Sequence, residues 1–240
     1  MTRSDILKKD YWSAALKNCA DIKMIAVAAI FTALSIGVKA FDIPIIPNVL
    51  IISFACYFHA LGALIYGPFL ALFSGAVSDT LGAILFPQGA YFFPYIFPEM
   101  LSCFIYALFF WKKENISVSR VLTARFTVNI LCNIILNSVI MKWQYILYGG
   151  EKYVPLLTMT RVVKNLVIFP LEGAVMAMII TAAVPAMKSL RIIPKNTKTG
   201  KLNADGIILL IDLFILSAGL VAYYVFGLRD FLMNYNWSFI

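Results

Sequence analysis

Four amides, Asn129, Asn133, Asn137 and Gln144, recur at helical spacing along one stripe, and Arg125 extends that stripe at one end. A second set, Arg161, Asn165 and Glu172, shares one face of a later segment, with Lys164 beside it. A third, Asp79, Gln88 and Glu99, interrupts an otherwise apolar run. Amides can both donate and accept hydrogen bonds at the edge of a heterocycle. Cations pair with carboxylates. Tyr91, Phe92, Phe93, Tyr95, Trp143, Tyr145 and Tyr148 add faces on which a flat ring can stack. Together these residues describe a binding site for an anionic, aromatic, water-soluble small molecule. Tyr and Trp are also expected at any membrane surface, so the amides and cations carry more of this reading than the aromatics. No HExxH or GxSxG arrangement is present to build a zinc site or a serine nucleophile, and no GxxxxGK[ST] loop to hold ATP. Asp79, Glu99 and Glu172 are read either as proton carriers or as satisfied structural or ligand-binding groups. His59, the single histidine, is read as a packed, hydrogen-bonded residue.

The elements that position these groups belong to a membrane. The chain has 240 residues, 62% hydrophobic and 13% charged, with mean hydropathy +0.86, where a soluble domain averages about 25% charged residues. The net charge of +8 does not read as a nucleic-acid surface, because the charges cluster between apolar segments; a positive-inside bias accounts for them. Cys56, Cys103 and Cys132 lie within apolar runs and Cys19 lies before the first, without CxxC or zinc-ligand spacing, so buried thiols are expected and no metal site or cofactor. The polar, amphipathic N-terminus does not read as a secretory signal peptide.

The expected fold is an all-α integral membrane bundle of six spans, with a seventh C-terminal span added. Residues 1–23 form a cytoplasmic amphipathic segment, 24–184 the six-span binding domain, 185–205 a basic cytoplasmic connector, and 206–240 the seventh span and tail. The six spans are expected at about 24–41, 49–66, 68–86, 91–111, 122–148 and 161–184. Pro44 and Pro47 oppose helix between the first two, in a stretch too apolar for an ordinary solvated loop. Pro94 and Pro98 should make the start of the fourth span irregular. Ala26, Ala29, Ala33 and Gly37 put small residues on one face of the first span, which suits either packing against a neighbouring span or docking of another subunit. With the N-terminus inside, the inner segments hold 14 of the 20 Lys and Arg. That places residues 41–48, the turn at Pro87, Gln88 and Gly89, and the starts of spans four and six on the outer side.

The motif G-x-x-x-D-x-x-G-x-x-x-x-P-x-G-x-Y-F from Gly75 to Phe92, YGP at Tyr66 to Pro68, Leu136-Asn137, and RVVKNLVIFPLE from Arg161 to Glu172 occur in the order seen in a known family. The chain resembles the substrate-binding S-components of energy-coupling factor (ECF) vitamin transporters, most closely the folate-specific ones. The resemblance implies a six-helix fold with a vitamin site near the outer face and loops that close over the ligand. It also implies a complex with a coupling transmembrane subunit and two ATP-binding subunits, docked through an AxxxA face for which Ala29 and Ala33 qualify. The site expected on this reading comprises Asp79, Gln88, Gly89, Tyr91, Asn133, Asn137, Gln144, Arg161, Lys164 and Asn165, and the docking face Ala26, Ala29, Ala33 and Gly37. The chain departs from the family at Tyr95, Pro98 and Glu99, in a stretch expected to be blander, and in its seventh apolar run. The expected function is capture of folate or a related pteridine, without catalysis. The alternatives are an S-component for pantothenate, riboflavin or thiamin, a non-catalytic membrane subunit, or a membrane-embedded enzyme using Asp79, Glu99 and Glu172.

Overall fold

The structure is a computed structural model and describes residues 8–46, 50–87, 92–148, 157–194, 196–199 and 238–239. Helix α1, Lys9–Ala20, is a surface helix. It buries Tyr11 and Ala15 against Trp111 and turns Lys9 and Lys17 outward, the arrangement of an interfacial helix. Asn18 fastens its end by donating from Nδ2 to the Tyr66 carbonyl at 3.1 Å. Helix α2, Ile22–Val38, starts at Asp21, whose side chain accepts from the Lys23 amide, and runs into a 3₁₀ turn at Lys39–Phe41.

The two prolines then give a hairpin. Strand β1, Ile43–Ile46, pairs antiparallel with β2, Leu50–Ile52. This shortens the second span. It was expected from residue 49, but helix α3 covers only Ala55–Tyr66. Pro44 and Pro47 remove amide donors, and the β-branched run beside them suits an extended strand. Helix α3 ends at Gly67, whose φ of 87° lies in the left-handed region; a Cβ there would sit 2.7 Å from the Trp111 ring. Pro68 at the first position of α4, Pro68–Leu85, restarts the helix at once.

The fourth span begins irregularly, as its prolines demand: a 3₁₀ turn at Phe93–Tyr95 precedes α5, Ile96–Phe110. Ser117 caps α6, Val118–Val128, by accepting from the Arg120 amide. Asn129–Leu136 then widens into a π-helix before α7, Asn137–Tyr148. Helix α8, Met159–Ser189, carries Pro170 and Pro185 within one continuous helix. Two short clasps tie the ends. β3, Asn115–Ile116, pairs in parallel with β5, Lys198–Thr199, and β4, Leu157–Thr158, pairs antiparallel with β6, Ser238–Phe239. Among the described residues, five stretches are long and apolar enough to cross a membrane, and α3 is a shorter apolar helix. The helices form the expected all-α membrane bundle. The run expected as a seventh span lies outside the described residues.

The packed core occupies one end of this bundle. It takes the second half of α3, the start of α4, the second half of α5, α6, and the second half of α8. In lipid there is no hydrophobic gain from bringing helices together, so close packing of small residues must supply the attraction. Ala60, Ala63, Ala71, Ala107, Ala124, Ala174 and Ala177 are all fully buried there. At Gly75 a Cβ would lie 2.8 Å from the Glu99 carbonyl oxygen and 3.0 Å from Met100 Cα. Backbone atoms cannot swing aside as a flexible side chain can, so Gly75→Val should force α4 and α5 apart. The expected cost is about 1–3 kcal/mol, read as a lower thermal midpoint of the detergent-solubilised protein.

Candidate binding site

Opposite the packed core the bundle is hollow. A cavity of about 590 Å³ lies among the end of α2, the start of α3, the end of α4, the start of α5, the α6–π–α7 helix and the first half of α8. All these segments meet at one end of the bundle, the end that carries the β1–β2 hairpin. The volume is in the range of small-molecule sites, about 300–1,000 Å³.

The amide stripe forms one wall. Residues four apart in an α-helix drift by about 40° per step. The i→i+5 bonding of the π segment turns the chain less per residue and offsets that drift. Arg125, Asn133 and Asn137 therefore line the same cavity. Asn129 serves as interhelical glue: its Nδ2 donates to the Asn165 carbonyl at 2.7 Å, and its Oδ1 accepts from Asn133 Nδ2 at 3.0 Å. Gln144 is bound to the wall from outside, its Oε1 accepting from the Tyr95 hydroxyl at 3.1 Å.

The floor is ionic. Arg125 lies in the loop-to-helix region where a cytoplasmic loop charge was expected. It is instead buried, at 5% exposure. Its Nη2 meets Glu172 Oε2 at 2.5 Å, its Nε donates to the same oxygen at 3.1 Å, and its Nη1 donates to the Tyr106 hydroxyl at 2.8 Å. A cation and an anion in so dry a place persist only when each satisfies the other. Glu172 is thus a paired group in the floor.

A second chain of contacts crosses the opposite wall. Ser35 Oγ donates to the Thr32 carbonyl at 2.7 Å and shares a hydrogen bond of 3.0 Å with Ser78 Oγ. Ser78 Oγ meets His59 Nε2 at 3.1 Å, and His59 Nδ1 meets Glu99 Oε1 at 3.0 Å. Each hydroxyl has one hydrogen. The Ser35 hydrogen goes to the carbonyl, so Ser78 must donate to Ser35, and His59 must donate to Ser78. With hydrogen on both ring nitrogens all four contacts are made at once, and the His59–Glu99 contact is then an ion pair. His59 is packed and hydrogen-bonded, as expected of a lone histidine, and it also lines the cavity. Lys39 reaches the same wall over Gly82 and donates to the Ser78 carbonyl at 3.1 Å.

Of the residues expected at the site, Asp79, Asn133, Asn137, Lys164 and Asn165 line the cavity, and Gln144 touches a lining residue. Gln88, Gly89 and Tyr91 lie outside the described residues, as does the side chain of Arg161. Lys39, Asp42 and His59 line the cavity without having been expected there, and Tyr95, Glu99, Arg125 and Glu172, singled out in the sequence but left out of the expected site, line it too. Glu99 and Glu172 had a visible signal, an acid in an apolar run. Lys39 and Asp42 had none beyond their place at a span end. Phe92 also lines the cavity, with its ring centroid 5.8 Å from that of Trp143.

A multi-pass membrane bundle, packed at one end and hollow and polar at the other, defines a membrane-embedded binding subunit. Residues 19–186 match the family model described as ECF-type riboflavin transporter, S component. The chain belongs to this S-component family. It is 37% identical over 142 residues to the folate transporter FolT of Clostridium novyi (strain NT), covering 59% of this chain and 77% of the relative. It is 35% identical over 126 residues to the folate transporter FolT of Leuconostoc mesenteroides subsp. mesenteroides, covering 52% and 68%. Its fold is similar to the crystal structure of FolT bound with folic acid, with a TM-score of 0.53 and 30% identity, covering 64% of this chain and 89% of that one. The protein is therefore a non-enzymatic, substrate-binding S subunit.

The ionic floor generates a stability prediction. Arg125→Met should cost about 3–5 kcal/mol, because Glu172 is left buried without its cation. Arg125→Met combined with Glu172→Met should recover most of that loss. Thermal unfolding of the two variants beside the wild type checks both outcomes.

Proposed function

We propose that this S subunit captures folate or a closely related pteridine at the hollow end of the bundle. The observation that carries the reading is the lining itself: amides, cations and an aromatic ring converge on one cavity. Lys39 and Lys164 suit the carboxylates of a glutamate tail, and Asn133, Asn137 and Asn165 suit a heterocycle with mixed donors and acceptors. The family model bears the name of riboflavin, but the relatives that share about a third of their residues with the chain are folate transporters. Riboflavin lacks the carboxylates that would engage two lysines. Asp79, Gln88, Gly89, Tyr91, Gln144 and Arg161 complete the proposed site.

The proposed orientation is N-terminus inside and cavity outward, in a bacterial cell membrane. The Lys and Arg distribution supports it, even after Arg125 leaves the tally of loop charges. Helices α6 and α8 are antiparallel, since Arg125 meets Glu172 and Asn129 meets Asn165. The β3–β5 clasp thus lies at the packed end, and the β4–β6 clasp lies toward the hollow end.

Delivery would require a coupling transmembrane subunit and two ATP-binding subunits. The docking face proposed for them is on α2, where Ala26, Ala29, Ala33 and Gly37 all point away from the bundle. A Cβ on Gly37 would meet nothing within 4 Å. Only 22% of an 18-residue apolar stretch within Ile22–Phe41 is buried, against 56% of one within Val162–Ser189, so among the described spans this one has the most surface left for a partner.

Titrating the purified protein with folate, riboflavin, pantothenate and thiamin, read by Trp fluorescence, tests the ligand. Folate alone should give tight, saturable quenching, with Trp143 beside Phe92 as the reporter; saturation by riboflavin alone would overturn the substrate. Replacing Lys164 by Ala should weaken folate about 10-fold, the worth of one charge-assisted bond, and weaken a form lacking the glutamate tail much less. Ala33→Leu should abolish uptake into cells yet leave binding by the isolated subunit unchanged. Loss of binding in that variant would assign the face to internal packing instead.

A further inference from the structure

Among the described residues, four acidic side chains line the cavity: Asp42, Asp79, Glu99 and Glu172. They are not equivalent. Glu172 Oε2 takes two bonds from Arg125, and its side chain is only 7% exposed. Asp42 accepts from the Phe54 amide at 3.3 Å, and Asp42 and Asp79 each make further interactions. Glu99 differs. Its Oε1 is held by His59 at 3.0 Å, its side chain is 29% exposed, and among the described residues Oε2 has no hydrogen-bond partner. The exposure is to the cavity that Glu99 lines.

The position of this carboxylate is fixed from three sides. Gly75 lets the backbone of α5 lie against α4 at Glu99 itself, where a Cβ would come within 2.8 Å of the Glu99 carbonyl oxygen. Ser102 Oγ donates to that carbonyl at 2.8 Å. His59, itself held by Ser78 and through it by Ser35, pins the carboxylate end. A carboxylate with one oxygen anchored and the other turned to a cavity is a ready acceptor for a ligand that presents adjacent N–H donors. Its geometry is set before any ligand arrives.

We infer that Glu99 determines specificity by accepting hydrogen bonds from an amidine-like donor edge, a ring N–H beside an exocyclic NH₂, as on a 2-amino-4-oxopyrimidine ring. The inference rests on the proposal that the ligand is a folate-type pteridine, and it assigns the donor edge to one residue. Oε2 takes the exocyclic N–H directly, and Oε1 shares the ring N–H while keeping His59. An isostere without the exocyclic amine leaves Oε2 desolvated and unpaired, so the site rejects it.

The test is equilibrium binding of folate and of its 2-desamino-2-methyl analogue to the purified full-length protein. Wild type should prefer folate by about 10- to 100-fold, the worth of hydrogen bonds to a charged group. In Glu99→Gln the affinity for folate should fall by a similar factor and that for the analogue by less than about threefold, so the preference collapses. Retained analogue binding also shows that the variant is folded. A wild type that binds folate and the analogue equally overturns the inference, as does a Glu99→Gln protein that keeps the preference. In each of those cases folate binding itself survives, and the proposed function stands. A wild type that ignores folate and binds another vitamin overturns both. Should Glu99→Gln bind neither ligand, the wild type labelled with ¹³C-glutamate decides. Its labelled carboxylate infrared band should shift with folate and stay put with the analogue; no shift with folate overturns the inference.

Discussion

Every polar group placed inside a lipid bilayer must find a partner within the protein. That constraint explains why the bundle is divided into two ends. In the packed end, the polar groups pair with each other. Arg125 is satisfied by Glu172 and Tyr106, and Thr32 by the Ala28 carbonyl and the Ser74 hydroxyl. The Tyr66 hydroxyl donates to Ser74 as well. In the hollow end, the polar side chains line a cavity. The Arg125–Glu172 pair is the boundary between the two. Above it the helices are held apart by polar side chains; below it they close on alanine.

This division also separates stability from recognition. The packed end is built from small residues and backbone contacts, in which a methyl group too many is felt. The hollow end has its side chains held by second partners: Asn133 by Asn129, His59 by Ser78, Gln144 by Tyr95. Such support limits the side-chain entropy lost when a ligand binds. A site whose groups are already ordered reads the chemistry of its ligand more sharply than one that must assemble around it.

Much of this was legible in the sequence, and the parts that were not have physical reasons. The stripe of Asn129, Asn133, Asn137 and Gln144 pointed to a cavity wall because four amides in a span demand a purpose, and Asn133 and Asn137 line it. The prolines at positions 94 and 98 foretold the irregular start of the fourth span. Strand β2 at Leu50–Ile52 was missed, although helix had been set aside around Pro44 and Pro47, because a short apolar run reads equally well as the start of a membrane helix. Arg125 was counted with the loop cations because its partner, Glu172, is 47 residues away, and pairing across helices leaves no local trace. For the same reason His59 and Glu99 were each judged alone, and the pair they form could not be seen from either.

Along the Val118–Tyr148 helix the π segment has a consequence of its own. In a uniform α-helix, length and facing are locked together, because each added residue both lengthens the rod and rotates everything beyond it. The wide turn at Asn129–Leu136 breaks that lock. It acts as a phase corrector between an inner rod committed to the dry core and an outer rod committed to the cavity. Each can be tuned without spoiling the other. A receptor family that keeps one scaffold while changing cargo gains from such a joint, because the outer rod can be re-aimed toward a new ligand while the inner rod holds its place in the membrane.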